Sequence, residues 1–507
     1  MKEAQDIRYL LQEAMALHQQ GQGERAEAIY RDVLRMEPEE PNAWHLLGVL
    51  AWQKSDLATA EHHIRLAIRL RDHVSTYYNN LAGVLAQKGD LLGAIASYET
   101  TIRLAPDDDA ARGSLAEVAY RHASHMMGAL QLDQAKVIYQ RVLELAPKHV
   151  SAINNLAMIT QHEGRYAEAA SLYDEALMIS PGNLAVRYNR ALCYLTQRRL
   201  PEGWADFTAA EPHWRHMQDP RQAQELPWRH CPLLDSDDLD GKQILIWGDQ
   251  GIGDEILYAG AIPDLLERGA HVTIECMDRL VPLFARSFPN ARILARRVPP
   301  LPGAEFDFQA SGMWLSRILR PDLNSFPDRK SFLVADAERS SALRQRYEGY
   351  GKKRILGISW FTNSKPWGLK RSLPLPEMLR HLELEDLLLV DLQYGDSQAA
   401  WREAQEMFPS LTFIHDNEID QFRDMDAFAA QITACDYVLA INNTVAHVAG
   451  ALGVLSGIMV PDAGLTWYWF DNGRRCPFYP SLTLWRSSEP GRLELAARLA
   501  SSQSTRS

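Results

Sequence analysis

Gln243-Ile-Leu-Ile-Trp247, then Gly248-Asp-Gln-Gly-Ile-Gly-Asp254, then residues 255–268 read as strand, loop and helix, and a helical period running from the N-terminus stops there. The apolar run bounded by a glycine-rich loop predicts a buried strand. A second strand follows at His271 to Glu275. Strand, glycine loop, helix and strand in that order open a parallel doubly wound sheet. A second unit of the same kind starts at Arg354-Ile-Leu-Gly-Ile-Ser-Trp360 and continues through residues 387–392 and 437–441. Two sheets with a cleft between them are expected, joined by a linker and bridging helix within 331–350.

Upstream, Ala26, Ala60 and Ala94 are spaced by 34 residues, each with a bulky residue near it (Tyr30, Ile64, Tyr98). Ala135 with Tyr139 and Ala169 with Tyr173 repeat the spacing after a gap of 41, which implies seven extra residues near Ser124 to Leu130. Pro38, Pro106, Pro147 and Pro181 close four units, Asp72 stands in the fifth, and Trp44, Leu47 and Gly48 complete the signature in the second. Small residues let two helices cross closely, the aromatic fills the gap, and proline stops the second helix: this is the tetratricopeptide pattern. A degraded sixth unit spans roughly 182–211, with Ala191, Tyr194, Gly203 and Phe207 in register. The expected layout is a repeat array over 1–200, a Trp/Pro-rich connector over 201–240 (Trp204, Trp214, Pro227, Trp228), sheet domains over 241–335 and 351–487, a linker helix over 336–350, and a helix with a loose tail over 488–507. The connector aromatics are read as glue between the last repeat and the next domain. The last segment is expected either to pack back on the first sheet or to stay loose.

A chain of 507 residues with 46% apolar content has material for several cores, and a net charge of −12 argues against a nucleic-acid binder. Cys193, Cys231, Cys276, Cys435 and Cys476 are odd in number and lack CxxC spacing, so neither a disulfide framework nor a zinc site is indicated. A reducing, cytoplasmic compartment fits that usage. The charged amphipathic N-terminus does not read as a signal peptide, and no apolar run is long enough to span a membrane.

The loop glycines Gly248, Gly251 and Gly253 do not match GxGxxG, and no Walker GxxxxGK[ST] is present, which weakens dehydrogenase and ATPase readings. Asp249 and Asp254 stand at the carboxyl edge of a strand, where open α/β sheets bind ligands and where a carboxylate can take a proton from an attacking hydroxyl. The alternative for Asp254 is a helix cap. In the second unit, Asn442, Asn443 and Thr444 lead from a strand into a helix holding His447; a capped helix start offers free N–H groups and a positive dipole end to a phosphate. His447 reads equally as a phosphate or sugar contact and as a core residue. Lys365, Lys370 and Arg371 follow the strand that ends near Trp360 and can stabilise a departing phosphate without a metal. No DxD triplet stands where a metal-dependent sugar transferase places one; Asp424 with Asp426, and the run Asp235 to Asp238, are read as structural. Trp467 and Trp469 read equally as cleft lining and as packing.

Residues 241–487 resemble a GT-B glycosyltransferase of the heptosyltransferase-like group, through Gly253-Asp254 with Pro263 and through Asn443-Thr444 with His447 and Ala449. The whole chain is similar to bacterial tetratricopeptide glycosyltransferases that modify flagellin with nonulosonic acids, echoed at Gln393 and Tyr394, at 442–453, at Trp467 to Trp469 and at Pro477 to Pro480. The resemblance implies an α-helical TPR superhelix followed by an α/β GT-B region, with an acceptor-side first domain and a nucleotide-sugar second domain. It implies Asp254 as base and a donor site at Asn442, Asn443, Thr444, His447, Lys370, Arg371, Gln393 and Tyr394. No cofactor is implied beyond a nucleotide-sugar co-substrate, CMP-linked in the nonulosonic case. Where the heptosyltransferase group usually has Asp, this chain has Asn443, which leaves other nucleotides open.

Fourteen residues before each signature alanine, on the expected concave face, stand Gln12, Leu46, Asn80, Arg121, Asn155 and Asn189. An amide donates and accepts, so Asn80, Asn155 and Asn189 form a partial asparagine ladder for a peptide backbone of a flagellin-like acceptor. A reading of another class stays open: a scaffold or chaperone for a secreted client, with a catalytically silent transferase fold.

Overall fold

The computed structural model describes residues 2–213, 231–236, 238–248, 251–296, 305–362, 371–382, 386–395, 397–494 and 496. Asp249, Lys365, Lys370, Trp214, Pro227, Trp228 and Asp237 lie outside the described residues.

The first twelve helices form six consecutive pairs: α1 (Lys2–Gln19), α2 (Gly23–Met36), α3 (Pro41–Gln53), α4 (Leu57–Leu70), α5 (Ser75–Lys88), α6 (Leu91–Leu104), α7 (Asp109–Gly128), α8 (Leu132–Leu145), α9 (Val150–His162), α10 (Tyr166–Ile179), α11 (Leu184–Thr196) and α12 (Leu200–Ala209). The signature alanines sit at the helix crossings: Ala26, Ala60, Ala94, Ala135 and Ala169 are all fully buried, with Tyr30, Ile64, Tyr139 and Tyr173 beside them. At Gly48 a β-carbon would lie 2.6 Å from Ile64 Cγ1 and 3.1 Å from the Ala60 carbonyl, so α3 and α4 approach to a distance only glycine permits. The seven extra residues lengthen a helix: α7 has 20 residues where α3 and α5 have 13 and 14. Seven residues are about two helical turns, so the extension keeps its face in register. Ser124 in this extension lies 3.1 Å from the Tyr139 hydroxyl of α8. The degraded unit keeps the architecture, with Gly203 of α12 packed on Leu195 and the Ala191 carbonyl of α11.

The chain divides into two compact units, one of residues 1–159 with 178–181, the other of 160–177 with 182–507. The second unit therefore takes in part of the fifth repeat and the sixth. Residues 201–209, assigned by sequence to the connector, are the body of α12.

Within the second unit a four-stranded parallel sheet has the order β3 (Arg292–Ala295), β2 (His271–Cys276), β1 (Gln243–Trp247), β4 (Phe308–Ser311). After β1 comes α13 (Ile252–Ala259), and α14 (Ile262–Glu267) leads into β2. A second, seven-stranded sheet contains β5 (Arg354–Ser359), β6 (Leu387–Asp391), β7 (Thr412–Ile414), β8 (Tyr437–Ile441), β9 (Ser456–Val460), β10 (Arg475–Cys476) and β11 (Tyr479–Arg486), in the order β10-β11-β9-β8-β5-β6-β7. Every pairing is parallel except β10 with β11. In sequence between the two sheets lies the helix Ala337–Glu348, capped by Asp336. Two doubly wound sheets in series are the GT-B arrangement.

The central strands are apolar on both faces, as parallel strands covered on both sides must be. One core cluster runs from Leu195, Trp204 and Phe207 of the last repeat through Ile244 and Ile256 to Val445, Ala449 and Tyr479. The connector's Cys231 to Leu234 lies along β4, with a bridge between Leu233 and Gln309. At the C-terminus, Leu493 and Ala496 pack with Leu356, Ile358 and Trp485 on the second sheet; they do not return to the first.

Candidate active site

The carboxyl ends of β1, β5, β6 and β8 position the candidate residues. The Gly251 amide donates to Asp254 Oδ2 at 3.1 Å, so the carboxylate, in the first turn of α13, closes that turn as a cap does. Its other oxygen, Oδ1, accepts from the Tyr468 hydroxyl at 3.0 Å. Burial pushes the Asp254 pKa upward, while the Tyr468 hydrogen bond, the Gly251 amide and the charge of Arg371 pull it down. A carboxyl raised by burial and still hydrogen-bonded is suited to take up a proton.

Across from it, Asn443 caps α21 (Thr444–Ala451), which among the described residues follows α15 (Val281–Ser287), α16 (Gly312–Leu319), α17 (Ala337–Glu348), α18 (Leu375–Leu379), α19 (Gln398–Met407) and α20 (Met425–Thr433). Asn443 Oδ1 accepts from the Val445 amide at 3.0 Å, and Nδ2 donates to Ser359 Oγ at 2.8 Å. The Ser359 hydroxyl lies 3.1 Å from Gln393 Oε1, so one chain of hydrogen bonds ties the ends of β8, β5 and β6. Gln393 also accepts from the Trp360 and Phe361 amides and donates to the Phe361 and Tyr394 carbonyls. Its amide holds the loop after β5. Tyr394 is half-buried, with its hydroxyl 3.1 Å from Thr362 Oγ1.

Asn442 is 2% exposed, and neither polar atom of its side chain has a hydrogen-bond partner among the described residues. Thr444, half-buried, opens the helix. Arg371 has a buried Nε without a partner among the described residues, and its charge acts on Asp254, His447 and Tyr468.

His447, read equally from sequence as a phosphate or sugar contact and as a core residue, is placed in the packing between two helices. It is 4% exposed, Nδ1 lies 2.9 Å from the Tyr479 hydroxyl, and its ring packs against Tyr468, Trp469 and Tyr479. A β-carbon on Gly253 would lie 2.8 Å from its Cδ2, so α13 and α21 meet through this glycine and this imidazole. Burial lowers the His447 pKa to about 3, with the Arg371 charge adding to the effect. Trp467 and Trp469, read equally from sequence as cleft lining and as packing, are buried: Trp467 meets Trp204 edge-on at 5.4 Å, and Trp469 lies against His447. Between them, Tyr468 touches Asp254. A tyrosine flanked by two tryptophans was the available signal, since it alone of the three has a hydroxyl to give a carboxylate.

In the repeats, Asn80 Nδ2 lies 2.9 Å from His45 Nε2, and Asn155 Nδ2 donates to the Tyr139 hydroxyl at 2.8 Å. Each is half-buried, as is Asn189 on α11. Asn80 and Asn155 belong to the first unit and Asn189 to the second. No described helix is long and apolar enough to cross a membrane.

Family models described as tetratricopeptide repeat match residues 11–75, 75–108 and 161–203. Protein FlbA of Caulobacter vibrioides is 25% identical over 499 residues, 89% of this chain and 81% of that protein. Protein O-mannosyl-transferase Tmtc3 of Drosophila melanogaster is 27% identical over 163 residues, 31% of this chain and 17% of that protein. The crystal structure of YrrB, a TPR protein with an unusual peptide-binding site, is 19% identical, covering 37% of this chain and 94% of that one, with a TM-score of 0.29. The chain thus carries tetratricopeptide repeats and is similar to FlbA along most of its length.

Proposed function

We propose that this chain is a glycosyltransferase that moves a sugar from a nucleotide-sugar onto a Ser or Thr hydroxyl of a protein acceptor held by its repeats. The observation that carries the reading is Asp254, a buried carboxyl held by Tyr468 and the Gly251 amide on the carboxyl edge of one sheet, within reach of the Arg371 charge. In the proposed step the acceptor oxygen attacks the anomeric carbon, the bond from that carbon to the phosphate oxygen breaks, and the hydroxyl proton passes to Asp254. The leaving phosphate takes its stabilisation from Arg371 and from the start of the helix capped by Asn443, beside Asn442 and Thr444. Lys370, outside the described residues, is assigned to the same role by sequence alone. The transfer is proposed to need no metal.

The finer reading follows the sequence resemblance: a CMP-linked nonulosonic acid as donor and a flagellin-like acceptor, with Asn80, Asn155 and Asn189 on its backbone. Transfer onto protein is in keeping with the name of the Drosophila relative, whose matched segment is short. The commitment of Gln393 to its own loop and the sealing of His447 favour a second reading, a repeat scaffold with a silent transferase fold.

Thermal unfolding with saturating CMP, UDP, GDP or ADP, each with and without EDTA, separates the two. A bound ligand raises stability by RT ln(1 + [L]/Kd), about 2.7 kcal/mol at a hundredfold excess over Kd. The transferase reading expects one nucleotide, CMP first, to raise Tm regardless of EDTA, and Asp254→Ala to keep that shift while losing transfer. No shift with any nucleotide turns the assignment to the scaffold, and full transfer by Asp254→Ala removes Asp254 from the chemistry.

A further inference from the structure

We propose that Tyr468 is a positioning residue for Asp254, and that the turns of the last two repeats hold it in place. The proposal rests on the reading of Asp254 as the base, but its geometry stands separately. Tyr468 lies in the segment that leaves β9 and returns at β10, and that segment is fastened to the repeats on both sides of it.

On the entering side the turn between α9 and α10 interlocks with residues 462–464. Gly164, at φ +82°, has no room for a side chain, because a β-carbon would lie 2.7 Å from the Asp462 carbonyl oxygen. Gly464, at φ +67°, donates its amide to the His162 carbonyl at 3.0 Å, and a β-carbon there would lie 2.6 Å from the His162 ring. Both positions use the left-handed backbone that glycine adopts without strain. The Tyr166 hydroxyl adds a bond to the Asp462 carbonyl at 3.3 Å.

On the leaving side the turn between α11 and α12 takes over. The Asp471 amide donates to the Thr196 carbonyl at 2.9 Å. Arg198, in that turn at φ +62°, donates to the Asn472 carbonyl at 2.9 Å and the Arg475 carbonyl at 3.3 Å, and covers the Phe470 ring at 4.8 Å. Trp467 packs edge-on against Trp204 of α12. Between these fastenings stands Tyr468, 6% exposed, with its hydroxyl 3.0 Å from Asp254 Oδ1.

The charged and titratable groups around Asp254 come from every element packed on it. Arg371 supplies the positive charge, and Glu255 on the same helix is tied to Arg296 and the Met277 amide. His447 packs against Gly253, with Tyr479 hydrogen-bonded behind it. Tyr468 differs from these in donating directly to the carboxylate, which favours the charged form against the effect of burial.

The test is a titration of the full-length protein carrying aspartate labelled with 13C at the side-chain carboxyl, with Asp254→Asn identifying the Asp254 resonance. Tyr468→Phe is expected to raise that midpoint by about one pH unit and to move the acid limb of the transfer rate upward with it, lowering kcat with little change in KM. Arg198→Met, which leaves Tyr468 present but releases its anchor, is expected to move the midpoint in the same direction by less. A folded Tyr468→Phe protein with an unmoved midpoint overturns the proposal. Should that variant not fold, an unmoved midpoint in Arg198→Met overturns it instead. Full transfer activity in Asp254→Asn rejects the base reading while leaving the titration result standing; loss of transfer there with an unmoved Tyr468→Phe midpoint rejects this proposal alone.

Discussion

His447 is buried and held neutral, its pKa brought down to about 3 by burial and by the nearby Arg371 charge. The unfolded chain protonates a histidine near pH 6.5 and the native protein does not, so the unfolded state binds more protons throughout the window between these values. Stability contributed by this group is complete above pH 6.5 and is lost as pH falls towards 3. At one pKa unit per 1.36 kcal/mol, the loss at pH 5 relative to pH 7.5 is about 2 kcal/mol. Urea midpoints at the two pH values measure it, and His447→Gln is expected to flatten the difference by that amount. His45, whose pKa burial lowers to about 4, adds a similar dependence that remains in the variant. The placement of Asp254 and Asn443 at helix starts beyond the carboxyl ends of β1 and β8 was legible, because a strand, a short loop and a helix follow one another directly in the sequence. The partners of His447 and Gln393 were not legible: they depended on Gly253, Ser359 and Tyr479, which are distant in sequence.

The helix pair is the next scale, and at Gly48 it reverses an ordinary propensity rule. Glycine inside a helix is about 1 kcal/mol worse than alanine, so Gly48→Ala on an isolated helix would be stabilising. Here the added methyl meets Ile64 Cγ1 at 2.6 Å and the backbone of α4 just beyond 3 Å. Overpacking of this kind costs about 1–3 kcal/mol, and after the propensity gain the variant is expected to be less stable by about 1 kcal/mol in chemical denaturation. An unchanged or raised midpoint would show that α3 and α4 can separate freely. The repeat period was fully legible because each alanine, aromatic and terminator acts on its own pair of helices. The seven-residue excess was legible as a length, and as an extension of α7 only once the helix itself was seen. The strands β1, β2, β5, β6 and β8 were legible for the same local reason, as apolar runs covered on both faces, whereas the short or outer strands β3, β4, β7, β10 and β11 were not read from the sequence.

At the scale of the whole molecule, the last repeat is part of the sheet region's core. Trp204 and Phe207 share one cluster with Ile256, Leu315 and Tyr479, and the Trp204 indole donates to the Arg320 carbonyl at 2.8 Å. Removing a buried Trp or Phe costs about 3–5 kcal/mol each, and their joint loss approaches the 5–15 kcal/mol stability of a typical domain. A fragment of residues 211–507 is therefore expected to be insoluble or to unfold without a cooperative transition, whereas 148–507 unfolds cooperatively in urea, as followed by circular dichroism. Cooperative unfolding of the shorter fragment would place the core boundary after α12. The sequence by itself determined the helical array, its period and its crossings, the two successive sheets and the glycine loop that carries Asp254, since each depends on residues near one another along the chain. Tertiary contacts alone settled that Tyr468 is the partner of Asp254, that His447 is sealed, that Leu493 and Ala496 pack on the second sheet, and that the last repeat belongs to the core. Those outcomes depend on contacts between residues up to hundreds of positions apart, such as Asp254 with Tyr468 and Gly164 with Asp462, and no local period encodes which distant surfaces meet.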